Sequence, residues 1–191
     1  LTWNELTNDP GWSERNNHTS VALANDTIVL MGGYNVYHHN DVWQSDDLGS
    51  TWENVACAEW SQRSPSSVVL LDDSILLLGA NDVWRSIDQG ATWQLMTEHA
   101  EWPARTDQTS VVLSDDSILL IGGRSVNYYY LNDVWRSEDQ GATWQLMTEY
   151  AEWSDRDRHS SVVLSDDSIV LMGGRKVLDS FHDVWYSTDQ G

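Results

Sequence analysis

Short apolar runs alternate with polar turns along the chain. The runs 159–164 (HSSVVL) and 168–174 (SIVLMGG) are rich in β-branched residues and are bounded by Asp, Ser and Gly. Such runs predict β-strands, and no window has the apolar spacing of a long amphipathic helix. Both runs are apolar on the two faces of the predicted strand, which is typical of a sheet packed between two other sheets.

The strand pattern repeats four times. Segments 85–102 and 136–153 are nearly identical, differing only where Ile87 and His99 are replaced by Glu138 and Tyr150. All twelve tryptophans fall into three series with one member per repeat. A Thr-Trp series contains Trp3, Trp52, Trp93 and Trp144; a second series contains Trp12, Trp60, Trp102 and Trp153; an Asp-Val-Trp series contains Trp43, Trp84, Trp135 and Trp185. Four short strands per repeat, stacked sheet on sheet, predict a β-propeller.

Two motifs recur inside each repeat and carry family resemblances. A glycine pair ends the second strand at 32–33, 122–123 and 173–174, and the second repeat departs from it with Gly79 and Ala80. With the following Asp-Val-Trp, this pattern resembles the kelch repeat. The pattern Ser-x-Asp-x-Gly-x-Thr-Trp between the third and fourth strands resembles the Asp-box of sialidase-type propellers. That resemblance implies a structural role for its aspartates, Asp47, Asp88, Asp139 and Asp189, away from any active site.

The fourth copy of this motif is split between the two ends of the sequence. Ser187, Asp189 and Gly191 supply its first half, and Leu1, Thr2 and Trp3 supply its second half. We therefore predict an all-β fold, a single propeller of four four-stranded blades over residues 1–191, with the last blade completed by the N-terminal strand. Three other arrangements would also explain the split motif. The chain could be one period of a longer tandem array, a partner could complete the blade, or two chains could form an eight-bladed ring.

The loops between the second and third strands differ most among the repeats. Variable loops on a rigid scaffold are where binding usually resides. Their aromatic rings and cationic groups are suited to stacking on sugars or contacting another protein. The candidate ligand-binding residues are Tyr34, Tyr37, Arg124, Tyr128, Tyr129, Tyr130, Arg175 and Phe181. The alternative interpretation is that these loops have drifted and pack on their own aromatic residues.

An arginine precedes the first strand of each repeat, at Arg15, Arg63, Arg105 and Arg156. Four such arginines around a channel would resemble the cluster with which sialidases bind a carboxylate, and this motivates a glycosidase hypothesis. The alternative is ion pairing with glutamates four residues earlier, Glu59, Glu101 and Glu152. We find no catalytic motif and predict no catalytic residue and no metal site. Calcium is the one cofactor that the acidic turns suggest.

Charge and sequons bear on the environment of the chain. The formal net charge of −20 argues against binding to nucleic acid, and no apolar segment is long enough to enter a membrane. N-glycosylation sequons at Asn17 and Asn25, together with a first residue that is not Met, favour a processed, extracellular protein. The predicted function is a noncatalytic extracellular scaffold or binding module for a glycan or protein. The alternatives are a structural subunit that self-assembles into a fibre or larger ring, and a sialidase-like glycosidase.

Overall fold

The computed structural model describes residues 2–61 and 65–189, which form eighteen strands and no helix. The first two blades each contain four antiparallel strands in sequence order. Blade 1 contains β1 (Thr19–Ala22), β2 (Ile28–Met31), β3 (Asp41–Ser45) and β4 (Glu53–Cys57). Blade 2 contains β5 (Ser66–Val69), β6 (Ile75–Leu78), β7 (Val83–Ser86) and β8 (Gln94–Thr97).

Blades 3 and 4 depart from this plan at their ends. Blade 3 contains β10 (Thr109–Val112), β11 (Ile118–Ser125), β12 (Tyr130–Ser137) and β13 (Gln145–Thr148), with β9 (Arg105–Thr106) paired to the end of β11. Blade 4 contains β14 (Ser160–Val163), β15 (Ile169–Met172) and β18 (Val184–Ser187), and its loop forms a hairpin of β16 (Arg175–Lys176) and β17 (Asp179–Ser180). The prediction of an all-β propeller with four blades is confirmed.

The core lies between the blades rather than inside any one of them. The second strands are the aliphatic ones, and β6 (ILLL) is buried along its whole length. The interfaces of blade 2 with blades 1 and 3 each add a tryptophan pair from the Thr-Trp series and the second series. The rings of Trp60 and Trp93 lie edge to face with centroids 4.5 Å apart, and those of Trp102 and Trp144 lie edge to face at 4.4 Å. This geometry is favourable for aromatic rings, so the tryptophan spacing in the sequence reflects blade stacking.

The same hydrogen bonds join successive blades at three junctions. In each first hairpin a backbone N–H donates to the turn aspartate of the next blade: Ala24 to Asp73, Leu71 to Asp116, and Ser114 to Asp167. Hydroxyl groups of adjacent first strands also bond in pairs: Thr19 with Ser67, Ser66 with Ser110, and Thr109 with Ser161. Within the described ranges, no equivalent bond joins blade 4 to blade 1.

The structure differs from the sequence-based expectation at the fourth blade. We expected the N-terminal strand to complete it, but β18 has no fourth strand beside it among the described residues, and Leu1 and Gly191 lie outside those residues. The side chain of Trp3 is 99% exposed. The N-terminal segment contacts blade 1, where the Leu6 side chain lies 3.8 Å from the position that a Cβ on Gly49 would occupy.

Candidate functional site

A polar cavity of about 650 Å³ opens where the first strands of the four blades begin. We call it the channel cavity. Its walls are mostly hydroxyl, amide and imidazole groups, because each first strand starts with Ser or Thr and follows a polar connection. They include Thr19, Ser66, Gln108, Thr109, His159 and Ser161. Such a surface offers many hydrogen-bond donors and acceptors and little apolar area to a ligand.

Two buried acceptor atoms near the cavity lack a hydrogen bond. Gln108 is 8% exposed, and its side-chain oxygen has no donor in the part of the chain that the structure describes. The same is true of Asp157 Oδ2, in a wholly buried side chain. Buried polar groups are normally paired, so these two oxygens are exceptions in an otherwise hydrogen-bonded region.

A cluster of charged side chains stands beside the channel cavity. Arg124 lies between two aspartates, with Nη2 3.6 Å from Asp107 Oδ2 and Nε 3.6 Å from Asp157 Oδ2. Arg158 Nε is 3.6 Å from Asp107, and Arg175 Nε is 3.2 Å from Asp157. Three arginines and two aspartates give this rim cluster a formal charge of +1. It is a local cationic site on a chain of net charge −20.

His159 is held in its neutral form at this site. Burial and the nearby Arg156 guanidinium lower the pKa of His159 to about 4. Its Nε2 lies 3.0 Å from Thr109 Oγ1, so the imidazole also joins blade 4 to blade 3. At neutral pH the ring therefore contributes hydrogen bonding and no charge to the channel cavity.

This pKa predicts a loss of stability in mild acid. Between about pH 6.5 and pH 4 the unfolded chain binds a proton at His159 that the folded chain does not, so stability falls as pH falls. We expect about 2 kcal/mol less free energy of unfolding at pH 5 than at pH 7 from this residue. Urea titrations at the two pH values measure the difference.

The matched variant is His159→Gln, since Gln108 occupies the equivalent position in blade 3. We expect this substitution to reduce the slope of stability against pH, leaving the smaller slope of His18, whose pKa is lowered by burial and Arg15. The carboxylates with lowered pKa values, such as Asp183, add their own loss only at more acid pH. An unchanged slope in His159→Gln would contradict the assignment.

The arginines that precede the first strands are occupied by structural bonds. Arg105 donates to both carboxylate oxygens of Asp133, at 2.6 and 2.7 Å, and to the carbonyl of Gly122. Equivalent pairs join Arg15 to Asp41 and Arg156 to Asp183. The expected glutamate partners are thus replaced by the aspartates of the Asp-Val-Trp motif. Arg63 lies outside the described residues.

These pairs fix the loops on which the site is built. Each aspartate also accepts a hydrogen bond from the indole N–H of the tryptophan two residues later, as Asp183 does from Trp185 at 2.8 Å. The hydrogen bonds from Arg156 hold the pKa of Asp183 far below its usual value. The side chains of Arg15, Arg105 and Arg156 are buried and bonded to these aspartates. These three arginines are therefore not available to bind a ligand carboxylate, as the glycosidase hypothesis requires.

Comparison with known proteins agrees with this architecture. Residues 80–188, more than half of the chain, match the model of the DUF6242 β-propeller domain. The chain belongs to this family. No curated protein matches it. The match runs from β7 to β18 and so includes the rim cluster of this DUF6242 propeller.

The structure brings together only part of the predicted ligand-binding set of the DUF6242 propeller. Arg124 and Arg175 approach the same carboxylate, that of Asp157. Tyr128 lies beneath Arg124, with its ring centroid 5.6 Å from the guanidinium carbon, and Phe181 covers Arg156 at 4.1 Å. These contacts place Arg124, Arg175 and Tyr128 at the rim cluster, whereas Phe181 packs on a structural arginine.

The remaining predicted tyrosines lie apart from one another. Tyr34 packs on His38 in the blade 1 loop with ring centroids 4.8 Å apart, and Tyr37 is exposed beside it. Tyr129 is exposed on blade 3, whereas Tyr130 lines a separate cavity of about 340 Å³ together with Tyr150. The loop aromatics therefore form several small surfaces rather than one.

Sequence reasoning missed Gln108, Asp107 and Asp157. A signal for them exists in the sequence, because they lie between the arginine that precedes a first strand and that strand. Asp107 and Gln108 follow Arg105 by two and three residues, and Asp157 directly follows Arg156. Asn17, Asp107 and Arg158 share one such offset and a positive φ of 52°, 58° and 57°. The backbone therefore has the same left-handed conformation at these three positions near the channel cavity, although their side chains differ.

The Ser-x-Asp-x-Gly-x-Thr-Trp turns lie on the opposite face of the blades. In the blade 3 copy Asp139 Oδ1 accepts bonds from the Ser137 hydroxyl and the Thr143 N–H, and Oδ2 accepts one from the Thr143 hydroxyl. Asp47 and Asp88 accept the same three bonds, and Asp189 accepts that of Ser187. Among the described residues, no cluster of three or more His, Cys, Asp and Glu side chains could hold a metal ion.

The two sequon asparagines lie on opposite faces and are both exposed. Asn17 is in the wall of the channel cavity, whereas Asn25 is in the first hairpin of blade 1, where its side chain accepts the Thr27 N–H. No helix in the described ranges is long and apolar enough to span a membrane.

Proposed function

We propose that this DUF6242 propeller is a noncatalytic binding module that holds a glycan at the channel cavity. The observation that carries the proposal is the polar wall of this cavity, which hydroxyl, amide and imidazole side chains from the blades line together. A sugar hydroxyl in this cavity can donate to and accept from the Ser and Thr side chains, and Gln108 lies beside them in the same wall. The rim cluster, at a formal +1, favours sugars that carry a carboxylate over neutral ones.

The exposed loop residues would extend this site. Tyr128 presents one ring face to Arg124, which fixes the ring, and it is 76% exposed. A tyrosine held in this way offers a stacking surface at low entropic cost. Arg175 belongs to the same site through Asp157, and Tyr34, Tyr37 and Tyr129 offer further stacking surfaces on neighbouring loops.

The proposal predicts that Gln108→Ala weakens glycan binding about tenfold while the protein stays folded. Loss of one hydrogen bond in a desolvated site costs about 1.5 kcal/mol, which corresponds to roughly a tenfold change in Kd. The wild-type chain is first screened on an array of neutral and uronate-bearing glycans. The sugars that bind are then titrated by calorimetry against wild type, Gln108→Ala and Tyr128→Ala.

The control is Tyr150→His, which is 77% exposed in the wild type and lies away from the channel cavity. Histidine is chosen because His99 occupies the equivalent position in the preceding repeat. Binding that survives Gln108→Ala but not Tyr128→Ala would move the site to the loops. The absence of any array signal for wild type would remove the glycan proposal.

We further propose that the repeats are kelch-like and that their acidic turns are Asp-boxes. The shared hydrogen bonds of Asp47, Asp88 and Asp139 support this assignment. An extracellular, glycosylated protein is part of the same proposal, which the exposure of Asn17 and Asn25 supports. A glycan on Asn17 would project into the channel cavity, so modification there and ligand binding would compete.

A further inference from the structure

A second cavity, of about 340 Å³, lies on blade 3 beside the connection that arrives from blade 2. We call it the blade 3 cavity. It shares no lining residue with the channel cavity. Its aromatic and aliphatic wall consists of Tyr130, Leu131, Trp135, Leu146 and Tyr150. Aromatic ring faces next to aliphatic side chains can hold both an apolar chain and a positive charge at its end.

The structural ion pair of blade 3 fixes one wall of this cavity. Trp135 lies opposite Leu146 in the pairing of β12 with β13, so the two side chains lie on the same face of the sheet. The Trp135 indole N–H donates to Asp133, which also accepts both bonds from Arg105. Trp135 packs at the same time against the core between blades 2 and 3. Its ring is therefore in place before a ligand arrives, which lowers the entropic cost of binding.

The blade 3 cavity has a negative rim. Glu101 and Glu149 line it and are exposed, whereas the carboxylate of Asp133 is already neutralised by Arg105. No lysine, arginine or histidine is among the described residues that line it. A hydrogen bond to Glu149 raises the pKa of Tyr150, so the phenol ring beside the glutamate stays neutral at pH 7. Carboxylates therefore stand next to uncharged aromatic rings.

The walls of this cavity contain side chains that the preceding repeat lacks. Ala80 and His99 occupy the positions in blade 2 that Leu131 and Tyr150 occupy in blade 3. The backbone supports this equivalence, because equivalent arginine N–H groups donate to the carbonyls of Ala80 and Leu131. Tyr130 begins β12, which has eight residues, whereas β7 in blade 2 has four. Three larger side chains thus build a wall on a framework that the two repeats otherwise share.

We propose that the blade 3 cavity binds the cationic side chain of a lysine or arginine in a basic peptide. The methylene stem of that side chain packs on Leu131 and Leu146, and its charged end lies against the tyrosine and tryptophan rings within reach of the rim glutamates. The net charge of −20 attracts a basic peptide from a distance, and the cavity gives its side chain a defined place.

Saturation-transfer NMR with short peptides tests this proposal on the whole chain. The probes are the peptides Gly-Lys-Gly and Gly-Arg-Gly. The neutral control is Gly-norleucine-Gly, which keeps an aliphatic stem and lacks the charge. We expect a cationic peptide to bind more tightly than the neutral one, and added salt to weaken that binding by screening the charges. Equal binding of the neutral peptide, or no binding of either cationic peptide, would overturn the proposal.

A pair of glutamate variants separates binding in the cavity from general attraction to an acidic surface. Glu149→Gln removes a charge at the rim, and Glu98→Gln removes the equivalent, exposed charge in blade 2, so the net charge changes equally. We expect Glu149→Gln to weaken binding of the cationic peptides about threefold and Glu98→Gln to leave it unchanged. Equal effects of the two substitutions would show general attraction and contradict a site on blade 3.

Substitutions of Tyr150 test the role of the aromatic ring. Tyr150→Phe keeps the ring, whereas Tyr150→Leu keeps an apolar side chain without a ring. We expect Tyr150→Phe to bind like the wild type and Tyr150→Leu to bind about threefold more weakly. Wild-type binding by Tyr150→Leu would remove the ring from the proposal and overturn it. Gln108→Ala should leave peptide binding unchanged, so the result is independent of the glycan proposed for the channel cavity.

Discussion

Replacing Asp133 by alanine is expected to lower the free energy of unfolding by about 3–5 kcal/mol, because the substitution leaves a buried guanidinium without its counter-ion. The side chain of Arg105 is fully buried, and Asp133 accepts two hydrogen bonds from it. The same carboxylate accepts the indole N–H of Trp135 at 2.7 Å. The variant therefore leaves the buried Arg105 guanidinium without its counter-ion and the partly buried indole N–H of Trp135 without its acceptor.

Urea unfolding at pH 7 measures this loss. The control is Lys176→Ala, which removes an ion pair with Asp155 whose lysine is 45% exposed. Exposed pairs of this kind contribute about 1 kcal/mol or less. A loss for Asp133→Ala no greater than that of the control would show that Arg105 finds another partner or water, and would contradict the structural role assigned to these pairs.

The partners of these arginines show what a sequence does and does not reveal. Glu101 lies four residues before Arg105, and proximity suggested it as the partner. Asp133 lies twenty-eight residues later, and its sequence position identified it only as the start of a strand. The propeller brings the two together because β11 and β12 return the chain to the loop where it began. A long-range ion pair of this type follows from the topology, which the tryptophan spacing does predict.

The fold was predictable because its signals are repeated. Four copies of the same strand and turn pattern average out the ambiguity of any single short apolar run. The split fourth repeat was recognised for the same reason. The position of the N-terminal segment relative to β18 was not predictable, because pairing between strands so distant in sequence depends on the whole blade array and no local pattern encodes it.

The candidate site was predicted only at its edges. Arg124, Arg175 and Tyr128 were found because aromatic and cationic residues in variable loops are conspicuous. Gln108 and His159 were missed because a polar residue before a strand is ordinary in sequence, and its importance comes from burial. The low pKa of His159 likewise depends on the neighbouring Arg156, which the fold places there.

Replacing Trp102 by alanine is expected to cost about 3–5 kcal/mol, a large share of the stability of a single domain. Trp102 is 2% exposed, lies in the cluster between blades 2 and 3, and meets Trp144 edge to face. Its removal leaves a cavity that two rigid sheets cannot close, and it also removes the aromatic contact.

The matched comparison for this variant is Trp3→Ala, also measured by urea unfolding. Trp3 belongs to the same repeats but is almost fully exposed, so a change within about 0.5 kcal/mol is expected. If Trp3→Ala were as destabilising as Trp102→Ala, Trp3 would have to be buried within its own chain. That result would place the N-terminal strand on the β18 edge of the same molecule, with Trp153 as the partner of Trp3.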